Sequence, residues 1–112
     1  METMKPWEFK HFIEENRPSA VSLSSESQSW WYSLGVMPWF SLTFQSICVN
    51  LNPTEIIVSN RGKNGTNGLR FNGIDHISIE YGADQRTLYH IHCAARLTDH
   101  SPPERVYTLI AQ

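Results

Sequence analysis

Two runs of residues decide how this chain is read. The first is Ile74-Asp75-His76-Ile77-Ser78-Ile79-Glu80-Tyr81. The second follows after Gly82-Ala83-Asp84-Gln85-Arg86 and reads Thr87-Leu88-Tyr89-His90-Ile91-His92-Cys93-Ala94-Ala95-Arg96-Leu97. Both alternate. Ile77, Ile79 and Tyr81 fall on one side of the first run, with His76, Ser78 and Glu80 on the other. In the second, Tyr89, Ile91, Cys93 and Ala95 oppose Leu88, His90, His92 and Arg96. A period of two marks strands with one face in the core. The segment between them has hairpin-loop length and holds Gly and Asp, both turn formers.

Opposed residues on antiparallel strands point to the same face, so the apolar sets must meet. Pairing Tyr81 with Thr87 sets Ile79 against Tyr89 and Ile77 against Ile91. It also sets Ser78 against His90 and His76 against His92. A slip of two residues keeps the faces and changes the partners; a slip of one buries the histidines. The expectation is an apolar inner face and a solvated, histidine-rich outer face.

Working backwards from this hairpin, Asn72-Gly73 suits a two-residue turn and Leu69-Arg70-Phe71 a short strand. Asn60 to Gly68 is rich in Gly and Asn and has no apolar residue, which predicts an exposed loop. Glu55 to Ser59 reads as a strand returning from a turn at Asn52-Pro53-Thr54. Phe40 to Leu51 reads as one strand, with Leu42, Phe44, Ser46 and Cys48 on one face and Ile47, Val49 and Leu51 on the other. Earlier still, Trp30 to Leu34 suggests a helical turn, and Ser19 to Ser29 a short strand dissolving into a serine-rich loop. Pro6 to Asn16 has helical spacing: Phe9, Phe12, Ile13 and Asn16 share a side, Pro6 suits the first position, and Pro18 stops the pattern. Downstream of the hairpin, Thr98 to Pro103 is a loop. Arg105 to Ala111 alternates as a closing strand that could form a sheet edge.

Short turns between strands imply antiparallel pairing, because parallel pairs need long crossovers. The predicted fold is α+β. It is one domain, residues 1–112, with a single strongly bent antiparallel sheet of about six strands, a roll or partial barrel, and a short N-terminal helix packed on it. A closed small barrel is the variant.

Composition narrows the function classes. Hydrophobic content of 40% with 12% aromatics marks a globular chain. A formal net charge of -2 excludes a strongly basic nucleic-acid binder. Cys48 and Cys93 lie in apolar, strand-like surroundings and read as two reduced core thiols. The first residues lack the pattern of a signal peptide, and no apolar run is long enough to span a bilayer. A soluble, cytoplasmic protein with no membrane contact is expected. The sequon Asn64-Gly65-Thr66 then marks only a polar turn.

Three surfaces could carry chemistry. His76, His90 and His92 share a strand face, and three imidazoles are a ligand set for zinc or another divalent transition metal. Against this, no motif frames them, and a plain polar sheet face would look the same. Arg61, Lys63 and Arg70 are the charged residues between Ile56 and Ile74, with no acid among them. Loop 60–68 could therefore contact a phosphate or other polyanion, although it lacks the spacing and following helix of a Walker loop. Trp30, Trp31, Tyr32 and Trp39 form the densest aromatic stretch. Adjacent Trp30 and Trp31 cannot easily both point inward, so one exposed tryptophan would be a natural interface anchor, with complete burial of the rings in the core as the alternative.

No catalytic motif or cofactor signature is present: serine lacks a nucleophile elbow, and Asp75 and Glu80 point apart from one another. The sequence therefore favours a small non-enzymatic binding or regulatory protein, of inhibitor or adaptor type, with a protein partner. Metal binding and polyanion binding are the alternatives.

Overall fold

A computed structural model of the chain describes residues 2–24, 43–62, 65–93 and 105–112. In chain order its elements are β1 (Glu2–Met4), α1 (Pro6–Asn16), β2 (Val21–Leu23), β3 (Thr43–Phe44), β4 (Ser46–Leu51), β5 (Thr54–Gly62), β6 (Gly65–Asn72), β7 (Ile74–Tyr81), β8 (Thr87–Cys93) and β9 (Arg105–Ala111). They build a six-stranded sheet, β1-β7-β8-β9-β2-β3, and a three-stranded one, β4-β5-β6. Every neighbouring pair is antiparallel. Among the described residues β1 and β3 end the larger sheet, so no barrel closes. The class is the expected α+β, with more strands than the sequence suggests.

The decisive hairpin pairs in the predicted register: Tyr81 with Thr87, Ile79 with Tyr89, Ser78 with His90, Ile77 with Ile91 and His76 with His92. Its inner face is Ile77, Ile79, Tyr89 and Ile91, all buried. A 3-10 turn at Ala83–Gln85 joins the strands, closed by Gly82 N–H donating to Arg86 O at 2.9 Å. β9 continues the pattern inward with Tyr107, Leu109 and Ala111. It lies between β8 and β2, so the predicted edge strand is an interior one.

Helix α1 spans the predicted residues. Pro6 occupies the first turn, where a missing N–H costs nothing, and the Lys5 N–H is held by Glu8 Oε1 at 3.1 Å. Phe9 and Ile13 are buried one turn apart, and α1 packs on β4 and β7. Phe9 and Phe12 meet the Tyr89 ring edge-on, with centroids 5.2 and 5.9 Å away. Such pairs add roughly 0.5–1.5 kcal/mol each beyond the area they bury. Tyr89 therefore fixes where the helix sits on the sheet. The strand β1 carries no sequence signal, being only three residues long.

The chain crosses between the two sheets twice, and both corners depart from the sequence expectation. The strand predicted for Phe40–Leu51 is divided at Gln45 into β3 and β4; Phe40, Ser41 and Leu42 lie outside the described residues. Phe44 and Val49 are both buried, and a straight strand cannot point residues five apart to one face. The bend reconciles them. Asn60 bridges it, its Oδ1 accepting the Gln45 N–H and its Nδ2 donating to Thr43 O, both at 2.7 Å. One consequence is that Cys48 is exposed, since Ile47 and Val49 face inward on β4; only Cys93 is a buried thiol.

The second corner is Gly73, whose φ of +66° suits glycine. Asn72-Gly73 is not a hairpin turn, because β6 pairs with β5 while β7 pairs with β1 and β8. The predicted loop at Asn60–Gly68 is instead mostly a ladder: Ser59 pairs with Gly68, Asn60 with Asn67, Arg61 with Thr66 and Gly62 with Gly65. Polar, glycine-rich composition did not mean the absence of pairing. At Gly68 a Cβ would lie 2.5 Å from Val58 O, so this strand position admits no side chain.

Two predictions follow from these contacts. Asn60→Ala removes both bonds across the Gln45 corner and should lower stability by about 1–3 kcal/mol in urea unfolding. Burial, with Tyr81 adding to it, pushes the Tyr89 phenol up to about 12. The ordinary value is about 10. The folded state thus holds this proton more tightly, giving stability that is full below pH ~10 and lost as pH rises towards about 12. Tyr89→Phe should flatten that alkaline slope in a series of unfolding curves.

Candidate functional site

The even-numbered residues of β7, β8 and β9 project onto the outer face, and there the structure concentrates its titratable and hydroxyl side chains. A straight row across the sheet reads Thr3, Ser78, His90 and Thr108, each paired with the next. The face is not the open, solvated one that alternation alone suggests. Ser78 is 5% and Thr108 3% exposed, and the His90 side chain 16%.

Burial of this kind requires partners. His90 lies between Glu80 and Thr108, with Nε2 2.8 Å from Glu80 Oε2 and Nδ1 2.9 Å from Thr108 Oγ1. An ionised carboxylate only accepts, so Nε2–H donates to Glu80; in the neutral ring Nδ1 then accepts the Thr108 hydroxyl proton. His92 Nε2 lies 3.1 Å from Ser78 Oγ. The His92 ring stacks on His76, centroids 4.1 Å apart and 13° from parallel. The pair stands where the register sets the two residues directly opposite.

Asp75 joins this group against expectation. Strict alternation points it away from His76, yet its Oδ2 lies 2.7 Å from His76 Nδ1. The cause is an irregularity in the β7–β8 ladder. Ile74 pairs with Cys93 and His76 with His92, which leaves Asp75 as an extra residue. A bulge of this kind breaks the period of two and re-aims side chains. Beside it opens a recess of about 320 Å³ lined by Thr3, Met4, Lys5, Glu8, Asp75 and His76. Its walls carry both signs of charge. The hydrogen bond from His76 holds the Asp75 carboxyl below the usual carboxylate range; the charges of His76, Lys5 and His92 add to this, against some desolvation.

Of the three histidines predicted as a ligand set, His76 and His92 are in contact, while His90 is engaged with Glu80 and Thr108. Among the described residues no three His, Cys, Asp or Glu side chains converge as a metal centre requires. The arrangement is one of proton sharing: three imidazoles oriented by two carboxylates and two hydroxyls.

The other predicted surfaces are placed as follows. Trp30, Trp31, Tyr32 and Trp39 lie outside the described residues, as does Lys63. Arg61 belongs to β5. On β6, Arg70 Nε donates to Glu55 Oε2 at 3.3 Å, and Glu55, itself buried, also accepts Asn50 Nδ2 at 3.0 Å. Arg70 thus has a carboxylate partner within the chain.

Two exposed aromatic residues were not singled out by sequence. Trp7 on α1 is 57% and Tyr81 at the end of β7 is 64% exposed. Trp7 had a readable signal. It precedes Phe9 by two positions, about 200° around a helix, so it projects from the face opposite the core. Tyr81 shares the inner parity of Ile79 but lies at the strand end, beyond the paired length of β1.

No protein-family model, curated protein or solved structure matches the chain. No helix among the described residues is long and apolar enough to cross a membrane.

The Asp75–His76 contact can be checked by following the Asp75 carboxyl carbon by NMR as pH falls. It should titrate below the ordinary value of about 3.9. Because the shift is downward, its stabilising contribution is present above that pH and fades as pH drops through the folded value. His76→Ala should return the titration towards the ordinary range. An unchanged titration in the variant would show that the contact does not form.

Proposed function

We propose that this is a small binding protein of regulatory type that acts through a protein–protein interface. The observation that supports it best is Trp7: an indole 57% exposed on a helix whose other face is fixed in the core by Phe9 and Ile13. A large aromatic side chain held out to solvent on a rigid element is the usual form of an interface anchor, and tryptophan is enriched among the residues that dominate binding energy. The ionisable side chains of the sheet face are committed to one another, so α1 offers the better contact surface. The aromatic segment Trp30, Trp31, Tyr32 and Trp39 belongs to this reading as a second source of anchors. A cytoplasmic setting belongs to it as well.

The test uses the tagged full chain and its Trp7→Ala variant as baits in extracts of the native host, with circular dichroism to confirm that the variant folds. A specific complex recovered with the native chain should be weakened by at least tenfold, about 1.4 kcal/mol, in the variant. A complex indifferent to Trp7, or none at all, would refute this reading.

A further inference from the structure

The three-stranded sheet ends on β6, and this edge differs from the others. β1 has three residues and β3 two, whereas β6 runs for eight, Gly65–Asn72. β4, the opposite edge of the smaller sheet, lies under α1. β6 pairs along its length with β5 on one side. From Gly65 to Arg70, among the described residues, no strand pairs with its other side.

Natural sheets usually blunt such an edge with proline, inward charges or a covering element. Here the strand reads Gly-Thr-Asn-Gly-Leu-Arg-Phe-Asn, with no proline, so alternate residues turn both an N–H and a C=O away from β5. Its first four residues are Gly65, Thr66, Asn67 and Gly68, none of them large and apolar. The charge pattern is equally one-sided. Between Ile56 and Ile74 the chain carries Arg61, Lys63 and Arg70 and no acid, within a protein of formal net charge -2. Glu55 of β5 offsets Arg70, which leaves Arg61 and Lys63 as the excess positive charge of the β5–β6 hairpin on a mildly acidic body.

We propose that the outer edge of β6, from Gly65 to Arg70, accepts an extended acidic segment of a protein partner as an added strand. Main-chain hydrogen bonds supply the attachment, as in other cases of strand addition, and the basic hairpin selects an acidic sequence. A second copy of this chain would bring a second basic hairpin against the first, and the like charges disfavour it. The inference rests on the protein-binding reading above but uses a different surface from Trp7.

The probe is a fluorescein-labelled peptide alternating glutamate with valine, compared with its lysine–valine counterpart and with an acidic version N-methylated at every residue. Fluorescence anisotropy should show the acidic peptide bound at least tenfold more tightly than the lysine peptide. N-methylation, which blocks strand pairing and leaves the charge, should abolish binding. Arg61→Glu should weaken it at least fivefold, and amide exchange of Gly65–Arg70 should slow when the peptide is present. Absent binding, equal binding of the lysine peptide, or indifference to N-methylation would overturn the proposal; the last would assign the hairpin to polyanions in general. A concentration-dependent dimer whose formation protects the same amides would also overturn it, by giving the edge to a second copy. Trp7→Ala should leave peptide binding unchanged. A Trp7-dependent complex without peptide binding would defeat this inference alone, and peptide binding without such a complex would defeat only the Trp7 reading.

Discussion

In the β7–β8 pair, Ile79 faces Tyr89 and Ile77 faces Ile91, and a slip of one residue would replace them with Ser78, His90 and His92. That parity governs much else in the molecule. It delivers Tyr89 to the site where Phe9 and Phe12 close on its ring, which fixes α1. It aligns Tyr107, Leu109 and Ala111 of β9 with the same interior. It also gathers His76, His90 and His92 on the far face, beside the carboxylates and hydroxyls that partner them. Core and polar face are two products of one register.

The parts of the fold that follow from local periodicity were legible in the residues. Pro6–Asn16, the β7–β8 register and Arg105–Ala111 each carry a pattern that only one conformation satisfies. The corners were not legible, because they resolve conflicts between neighbouring patterns. Phe44 and Val49 both need the core, and only a bend at Gln45 provides it. That bend depends on Asn60, a residue fifteen positions away. The hairpin of β5 and β6 was hidden for a different reason. Gly62, Gly65 and Gly68 stand in strands, the last at a close backbone approach, and they resemble loop residues by composition.

The candidate site shows the same division. Grouping His76, His90 and His92 on one face needed only alternation. Their actual partners needed the diagonal geometry of neighbouring strands, which brings Glu80 to His90 and Ser78 to His92, and the bulge that turns Asp75 towards His76. Ligand identity alone suggested a metal; the distances describe hydrogen-bonded pairs. A half-buried histidine held between Glu80 and Thr108 is well suited to specify one arrangement of three strands, since any other would break both of its hydrogen bonds.

The two corners also divide the chain by the distance over which its pairings must close. Residues Ser46 to Asn72 fold on themselves, each strand meeting the next through a short connection. The larger sheet instead joins Glu2 to Ile79 and Val21 to Ala111, pairings separated by most of the chain. Closing such wide loops costs more chain entropy than closing a hairpin. The helix face bearing Phe9 and Ile13 must therefore await β7 and β8, and one edge of β2 must await β9. Until then those apolar residues lie without their native cover, which makes α1 and β2, though early in the order of elements, dependent on the strands that come after them.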